Sequence, residues 1–593
     1  MTNGFDRASV RSLATEILML LVFCGFFFFY RISAYGLVGA DEPRYAQVAR
    51  EMWQAHDWVT PTLWGKPWLE KPALYYWGAI LSYKVTGGVS DWAARAGDAA
   101  MASLMILGIY FMLRRIRPQI ALDAALITAS AAAIFGFARG ADTDMPLAAF
   151  FALGMLAWMV WSEEAGGGSQ RAGGAKTWLA LFYFFIGVAT LAKGPVAPGL
   201  AALIIILFAA WKREWKLIVR TLWIPGILIF FATALPWYVL VEMRNPQFFG
   251  EFILRQNFAR FGTNLYQHRK PIWFYIPVLL GSLLPWSVLA VCAWVSAIRM
   301  RAFGAPVPIG APGSFARQGQ ERLAQDDESL NFQSHNHTIA QSPNLNRFLV
   351  LWATVPVLFF TLAQSKLPGY ILPAIPAWTI LAADYLQQLR EGSSKLNFGV
   401  LAGHAALVGF SVAAALLSPY AIVQKGFSPP LSALLVAAGF AAAFFVIIMY
   451  SVRRRGVGTL RFITTAAVIL SLAYLLRVVA PATDAVLSAR PLAHYIGQMA
   501  GAPKEVAVYN LPRGIQYGLA FYRNQPVPRY DGNLDGPGEV PAGEHLLLIG
   551  KVVTDEPRGD IIAMPPGLRG REYSILGPYK PLHVWILRVA AAR

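Results

Sequence analysis

Long apolar runs alternate with short polar segments along nearly the whole chain. About thirteen runs of roughly 17–25 apolar residues are each long enough to cross a hydrocarbon core about 30 Å thick as a helix. They fall near 14–35, 93–113, 119–137, 145–161, 177–191, 196–211, 222–241, 272–298, 347–363, 370–388, 398–418, 430–450 and 460–480. Two connecting segments are long and rich in aromatics, 36–92 and 242–271. Within the first, Tyr45, Val48, Ala49, Met52 and Trp53 recur at i, i+3, i+4, i+7 and i+8, the apolar stripe of one helix. That helix is too short and too charged to span, so it is expected to lie in the membrane interface. Segment 302–345 is polar, with Gly, Gln, Asn and Ser, and reads as a disordered insert. From 484 the pattern changes. EVAVYN, GIQYGLAFYRN, HLLLIG and HVWILRV predict strand, helix, strand, strand, a small α/β domain over 484–593 that follows a membrane domain over 1–483. No period of 20–50 residues is present, which argues against a repeat architecture.

Composition supports the bilayer reading. Of 593 residues, 56% are hydrophobic and 14% charged, against roughly 25% charged in soluble domains. The net charge is +18, from 51 basic and 33 acidic residues. That excess does not point to nucleic acid, because it clusters in short loops: RRIR at 114–117, WKREWK at 211–216 and VRRR at 452–455. Such loops stay in the cytoplasm, which puts the insert 302–345 inside. It places 36–92 and, with an odd number of spans, the C-terminal domain outside. Cys24 and Cys292 both lie in apolar segments and suit neither a disulfide framework nor a thiolate zinc site. The first apolar run lacks a small-residue cleavage site and is expected to be a retained helix.

The candidate chemistry lies on the outer side. Asp41-Glu42 follows the first span directly. Ahead of Pro43 such a pair also suits a helix start. Glu70-Lys71-Pro72 stands among Trp64, Trp68, Tyr75, Tyr76 and Trp77. Those aromatics fit an interfacial belt and Lys71 a snorkelling cation, yet a lysine at headgroup depth is also what a lipid phosphate requires. Asp142-Thr143-Asp144 lies on a short outer turn, as a helix cap or as a second acidic group of an acid/base site. Lys193, Arg255, Arg260, His268, Arg269, Lys270, Lys366 and Tyr370 complete the outer set. Cations on that side run against positive-inside statistics and point to an anionic ligand. His268, with Glu70 and Asp41, is a candidate metal ligand.

In order over about 40–380, DEPRYAQVAREM, Glu70-Lys71-Pro72 with LYYW, TDMPLAAFF, LAKGP, HRKPIWFYIP and SKLPGYILPAIPA resemble the bacterial aminoarabinose transferases of lipid A. These belong to the protein O-mannosyltransferase-like group of GT-C glycosyltransferases. The resemblance implies a GT-C α-helical polytopic membrane protein with a small C-terminal periplasmic α/β domain. It implies an inner-membrane enzyme with its site facing the periplasm. The donor would be a sugar on undecaprenyl phosphate, transferred with inversion, and the acceptor lipid A or another envelope glycoconjugate. By matching position, Asp41 resembles the catalytic carboxylate, with Glu42 beside it and Asp144 as the second acidic position. Glu70, Lys71, Arg260, Lys193, Tyr370, Lys366 and Tyr45 resemble the substrate-binding set. Glu70 and His268 resemble a metal pair for a divalent cation. Asn257 departs from those relatives that carry a His ahead of the Arg-Phe pair. Competing readings are a transferase of another sugar to lipopolysaccharide core, lipid or protein, and a transporter or flippase. A transporter predicts inverted symmetry and ionisable groups near the midplane, and neither stands out in the sequence.

Overall fold

The structure, a computed structural model, describes residues 3–166, 172–259, 270–302, 343–392, 397–423, 427–531, 540–550, 565, 568 and 570–591. Most of the insert 302–345 therefore lies outside the described residues, as do Arg260 and His268. The apolar runs fold as helices. Among the described residues, eight are long and apolar enough to cross a membrane, or up to ten if two bent pairs each count as one span. The protein is a multi-pass membrane protein.

The count falls short of thirteen because the runs at 14–35 and 196–211 form shorter apolar helices, Leu13–Phe29 and Val196–Lys212, and three other runs are bent or open irregularly. Runs expected as single spans break: Pro118–Ser130 and Ala132–Ala138 meet at 63°, and Ile272–Ser282 and Ser287–Arg299 at 115°. The run at 370–388 opens as a 3-10 turn, Pro368–Ala374, before the helix Ile375–Arg390. Pro368, Pro373 and Pro376 remove backbone donors there, so a regular α-helix cannot start earlier. Asp144–Ala165 is the central span, 89% buried by other protein segments, whereas Leu431–Arg455 is 11% buried and peripheral. At the end opposite Asp41, Arg117 pairs with Asp384 at 2.8 Å and Arg390 with Asp123 at 2.6 Å. These pairs join helices through the basic loops that the charge pattern had assigned to one side.

At the Asp41 end, helix α1 (Asp41–Gln54) is followed by a ribbon of β1 (Thr62–Leu63) and β2 (Lys66–Pro67), then helix α2 (Leu74–Thr86). The stripe of Tyr45, Val48, Ala49 and Met52 is buried, as expected. The opposite face is covered too, since every residue from Pro43 to Arg50 is buried. Thus α1 is not an interfacial helix with one wet face. Helix α3 (Arg513–Arg523) of the C-terminal domain packs on it, and Arg50 Nη1 donates to the Phe521 carbonyl at 2.6 Å.

The C-terminal domain contains a four-stranded sheet in the order β3 (Val506–Tyr509), β4 (His545–Gly550), β6 (Val584–Val589), β5 (Tyr573–Tyr579). β3 and β4 run parallel, and the other pairings are antiparallel. Strand β5 was missed in the sequence: it is an edge strand with mostly exposed residues, and its register shifts between Ile575 and Gly577. The last apolar helical run extends to Leu487, across the expected junction at 484. Just beyond it, Arg490 binds Asp91 at 2.7 Å and Asp484 at 2.8 Å, and Tyr522 donates to Asp91 at 2.8 Å. Those contacts fasten the sheet domain to the membrane bundle.

Candidate active site

Ala40 takes the N-cap of α1, and Asp41 stands one residue inside. Asp41 offers no cap; its carboxylate pairs with Arg44 at 2.5 Å and remains 58% exposed. Arg44 is buried in an aromatic cage, 5.0 Å from the Trp68 ring, 5.3 Å from Tyr45 and 5.5 Å from Tyr517. Burial would depress its pKa, but Tyr45, Asp41 and Glu70 more than offset that, so the guanidinium is held above its ordinary value. Asp41 is its ion-pair partner, and the Glu70 charge acts on it from further off. Glu42 points elsewhere. Both its oxygens bind the guanidinium of the fully buried Arg95, at 2.7 and 3.2 Å, and accept from the backbone of Val38 and Ala141. Saturated by four donors, Glu42 ties the first loop to the turn that carries the next carboxylates.

That turn is built by Asp142. Its Oδ1 accepts from the backbone of Thr143 at 2.5 Å and Asp144 at 3.2 Å, opening the helix Asp144–Gly166. Its own N–H donates to buried Asp98 at 2.9 Å. Burial, then the Asp144 charge, pushes the Asp142 carboxyl up to about 7, with Lys193 opposing and Asp41 adding to the rise. Asp144 pairs with Lys193, and the Lys193 ammonium lies 4.7 Å from the Tyr370 ring. Gly369 backs this pair: a Cβ there would stand 2.3 Å from Asp144 Oδ2.

Beside the ion pair opens a cavity of about 450 Å³. Glu70, Lys71, Lys193, Gln256, Ser365 and Tyr370 supply its polar groups, against an apolar wall that includes Leu147, Leu200, Phe252 and Phe360. Two cations in a mostly apolar chamber suit an amphipathic anion such as a lipid phosphate. The structure therefore brings together Glu70, Lys71, Lys193 and Tyr370, with Asp144 paired to Lys193; Asp41 does not line the cavity and pairs with Arg44. Lys366 does not line the cavity; its ammonium donates to the Ala363 carbonyl at 2.8 Å. Tyr45 does not line it either, being buried against Tyr75 and Tyr76 with centroids 5.9 and 6.4 Å away. Sequence reasoning missed Arg44, Asp98, Asp142 as a distinct group, Gln256 and Ser365. Asp98 carried a usable signal, since an acid inside an apolar span is rarely idle.

Among the described residues no three His, Cys, Asp or Glu side chains converge into a set able to hold a metal ion. The expected partner of Glu70, His268, lies outside them.

Residues 15–249 match the family of dolichyl-phosphate-mannose-protein mannosyltransferases. An undecaprenyl phosphate-α-4-amino-4-deoxy-L-arabinose arabinosyl transferase from Pseudomonas fluorescens is 28% identical over 66% of this chain and 60% of its own length. The Pseudomonas aeruginosa transferase is 29% identical over 63% of this chain and 60% of its own. The crystal structure of ArnT from Cupriavidus metallidurans, bound to undecaprenyl phosphate, superposes with a TM-score of 0.70, covering 96% of this chain and 97% of that one at 21% identity. The chain has the fold of that ArnT. The resemblance carried by the motifs is borne out in sequence and in fold, and the apo form of the same crystal protein matches at a TM-score of 0.68. In sequence, the alignment spans about three fifths of the length of these curated relatives.

Proposed function

We propose that the protein transfers a sugar from a polyprenyl-phosphate donor to an envelope acceptor on the periplasmic face of the inner membrane. Its most specific form is transfer of 4-amino-4-deoxy-L-arabinose from undecaprenyl phosphate to a phosphate of lipid A. The observation that carries it is an apolar cavity with Lys71 and Lys193 on its wall, beside a set of carboxylates in which Asp144, paired with Lys193, and water-exposed Asp41 both act on Asp142. Donor and acceptor thus approach from two sides. The names of the relatives point to the same sugar and carrier.

In this reaction an acceptor oxygen forms a bond to the anomeric carbon as the carbon–oxygen bond to the lipid phosphate breaks, and the electron pair leaves on the phosphate. Lys193 and Lys71 neutralise that charge, and their fixed positions in a low-dielectric chamber make the stabilisation effective. Arg260 adds a third cation by its place in the motif. Attack from the face opposite the phosphate inverts the centre. A lipid A phosphate oxygen is already anionic, so Asp41 orients the acceptor through Arg44. With a hydroxyl acceptor, Asp41 takes the proton. Glu42, Lys366 and Tyr45 shape this site without touching the reacting atoms.

Mass spectrometry of lipid A and envelope glycolipids from cells with and without the protein tests this reading. An aminoarabinose-bearing lipid A phosphate present only with the protein is expected. Identical lipid A and glycolipids in both strains contradict it.

A further inference from the structure

Two residues that line the cavity each carry a buried polar atom with no hydrogen-bond partner among the described residues: Ser365 Oγ and Gln256 Oε1. Their side chains are 4% and 8% exposed. An unpaired buried hydroxyl or carbonyl destabilises the protein that holds it unless something else satisfies it. The chemistry of each atom says what that partner must be. Gln256 Nε2 donates to Glu251 at 3.2 Å. An ionised carboxylate only accepts, so the amide group must face Glu251 and leave its oxygen unpaired. A carbonyl oxygen repels a phosphate oxygen and needs a donor, either a hydroxyl or an ammonium. Ser365 has a proton to give. It lies in the same turn as Tyr370, whose ring carries the Lys193 ammonium, and its neighbour Lys366 is turned to the Ala363 carbonyl.

We propose that Ser365 and Gln256 bind the head group of the donor, Ser365 donating to a phosphate oxygen and Gln256 accepting from a hydroxyl or ammonium of the sugar. This assignment rests on the lipid-phosphate-sugar reading above. It divides recognition in two: Ser365 reads the carrier and Gln256 reads the sugar.

The test uses purified full-length protein with Ser365→Ala and Gln256→Leu, and two ligands, undecaprenyl phosphate without sugar and the sugar-bearing donor. Melting temperature without ligand should be unchanged or raised in Ser365→Ala, which loses only an unsatisfied buried atom, and close to that of the wild type in Gln256→Leu, where losing the unsatisfied oxygen offsets losing the bond to Glu251. Ser365→Ala should weaken binding of both ligands by about tenfold, as for a lost hydrogen bond to a charged group. Gln256→Leu should bind bare undecaprenyl phosphate as the wild type does and bind the sugar-bearing donor about threefold to tenfold more weakly. Wild-type affinity for the bare lipid in Ser365→Ala overturns the assignment, as does wild-type affinity for the sugar-bearing donor in Gln256→Leu. A lowered melting temperature with equal losses for both ligands in Gln256→Leu also overturns it, by showing a structural role. If the wild type binds neither lipid, the donor reading itself falls, and the two failures are thereby told apart.

Discussion

The guanidinium of Arg44 lies 5.5 Å from the centroid of the Tyr517 ring, so the side chain that pairs with Asp41 is held partly by the C-terminal domain. Tyr517 is in turn stacked on Trp64 at 5.5 Å and 15°. A cation–π contact is worth about 0.5–1 kcal/mol when exposed and about 2 kcal/mol when desolvated. Tyr517→Ala should therefore lower the transfer rate by roughly threefold to thirtyfold through a misplaced Arg44, while Tyr517→Phe keeps the ring and most of the activity. Rates in reconstituted membranes, with donor affinity followed in parallel, check this. Equal loss in Phe and Ala would show that the ring face is not what matters.

Lys193 and Asp144 form a buried pair. Removing one partner leaves an uncompensated charge at a cost of about 3–5 kcal/mol. Lys193→Met should be strongly destabilised in detergent, and the double variant Lys193→Met with Asp144→Asn should recover much of that stability without recovering transfer. Denaturation midpoints of the three proteins give the answer. Undiminished stability in the single variant would mean that the pair is solvated.

Asp142 makes stability depend on pH in a defined direction. Its carboxyl is pushed up to about 7 from an ordinary 3.8 by burial and by Asp144. Between those values the folded protein keeps a proton that the unfolded chain has lost. Its contribution is fully present at low pH and is lost as pH rises through about 7. The Asp142 contribution to melting temperature should fall between about pH 4 and pH 7, and Asp142→Asn should flatten that part of the curve. Parallel curves for the two proteins would contradict the assignment.

Gly369 supplies the space that Asp144 occupies, and a Cβ there would stand 2.3 Å from Oδ2. Gly369→Ala should push the carboxylate off Lys193 and cut transfer at least tenfold, a loss of about 1.4 kcal/mol in the transition state, while the protein still folds. Transfer kinetics and melting temperature, measured together, separate these effects.

Much of this arrangement was legible in the sequence, for physical reasons that differ by residue. Glu70, Lys71, Lys193 and Tyr370 converge because each sits at a helix end or loop on one side, which the charge pattern revealed. The 3.6-residue stripe of α1 was equally clear. Its buried polar face was not, because Arg44, Gln47 and Arg50 read as a solvated side until α3 covers them. Glu42 looked like half of an acidic pair, yet adjacent residues on a helix point about 100° apart, and only Asp41 reaches water. Gln256 and Ser365 gave no signal, since an unsatisfied atom is a property of packing that spacing does not encode.

Asp41→Asn removes the exposed carboxylate's charge and leaves its shape. The variant and the wild type, reconstituted with the sugar-bearing undecaprenyl phosphate and lipid A, are compared by the mass of the lipid A product and by donor affinity. With lipid A, whose phosphate needs no deprotonation, Asp41 acts by orienting the acceptor through Arg44: wild type should give a product carrying the added sugar, and Asp41→Asn a rate lower by about tenfold to 10²-fold, with donor affinity and melting temperature unchanged. A variant that keeps more than about half the wild-type rate, outside that range, would contradict this role and leave Asp144 as the essential carboxylate.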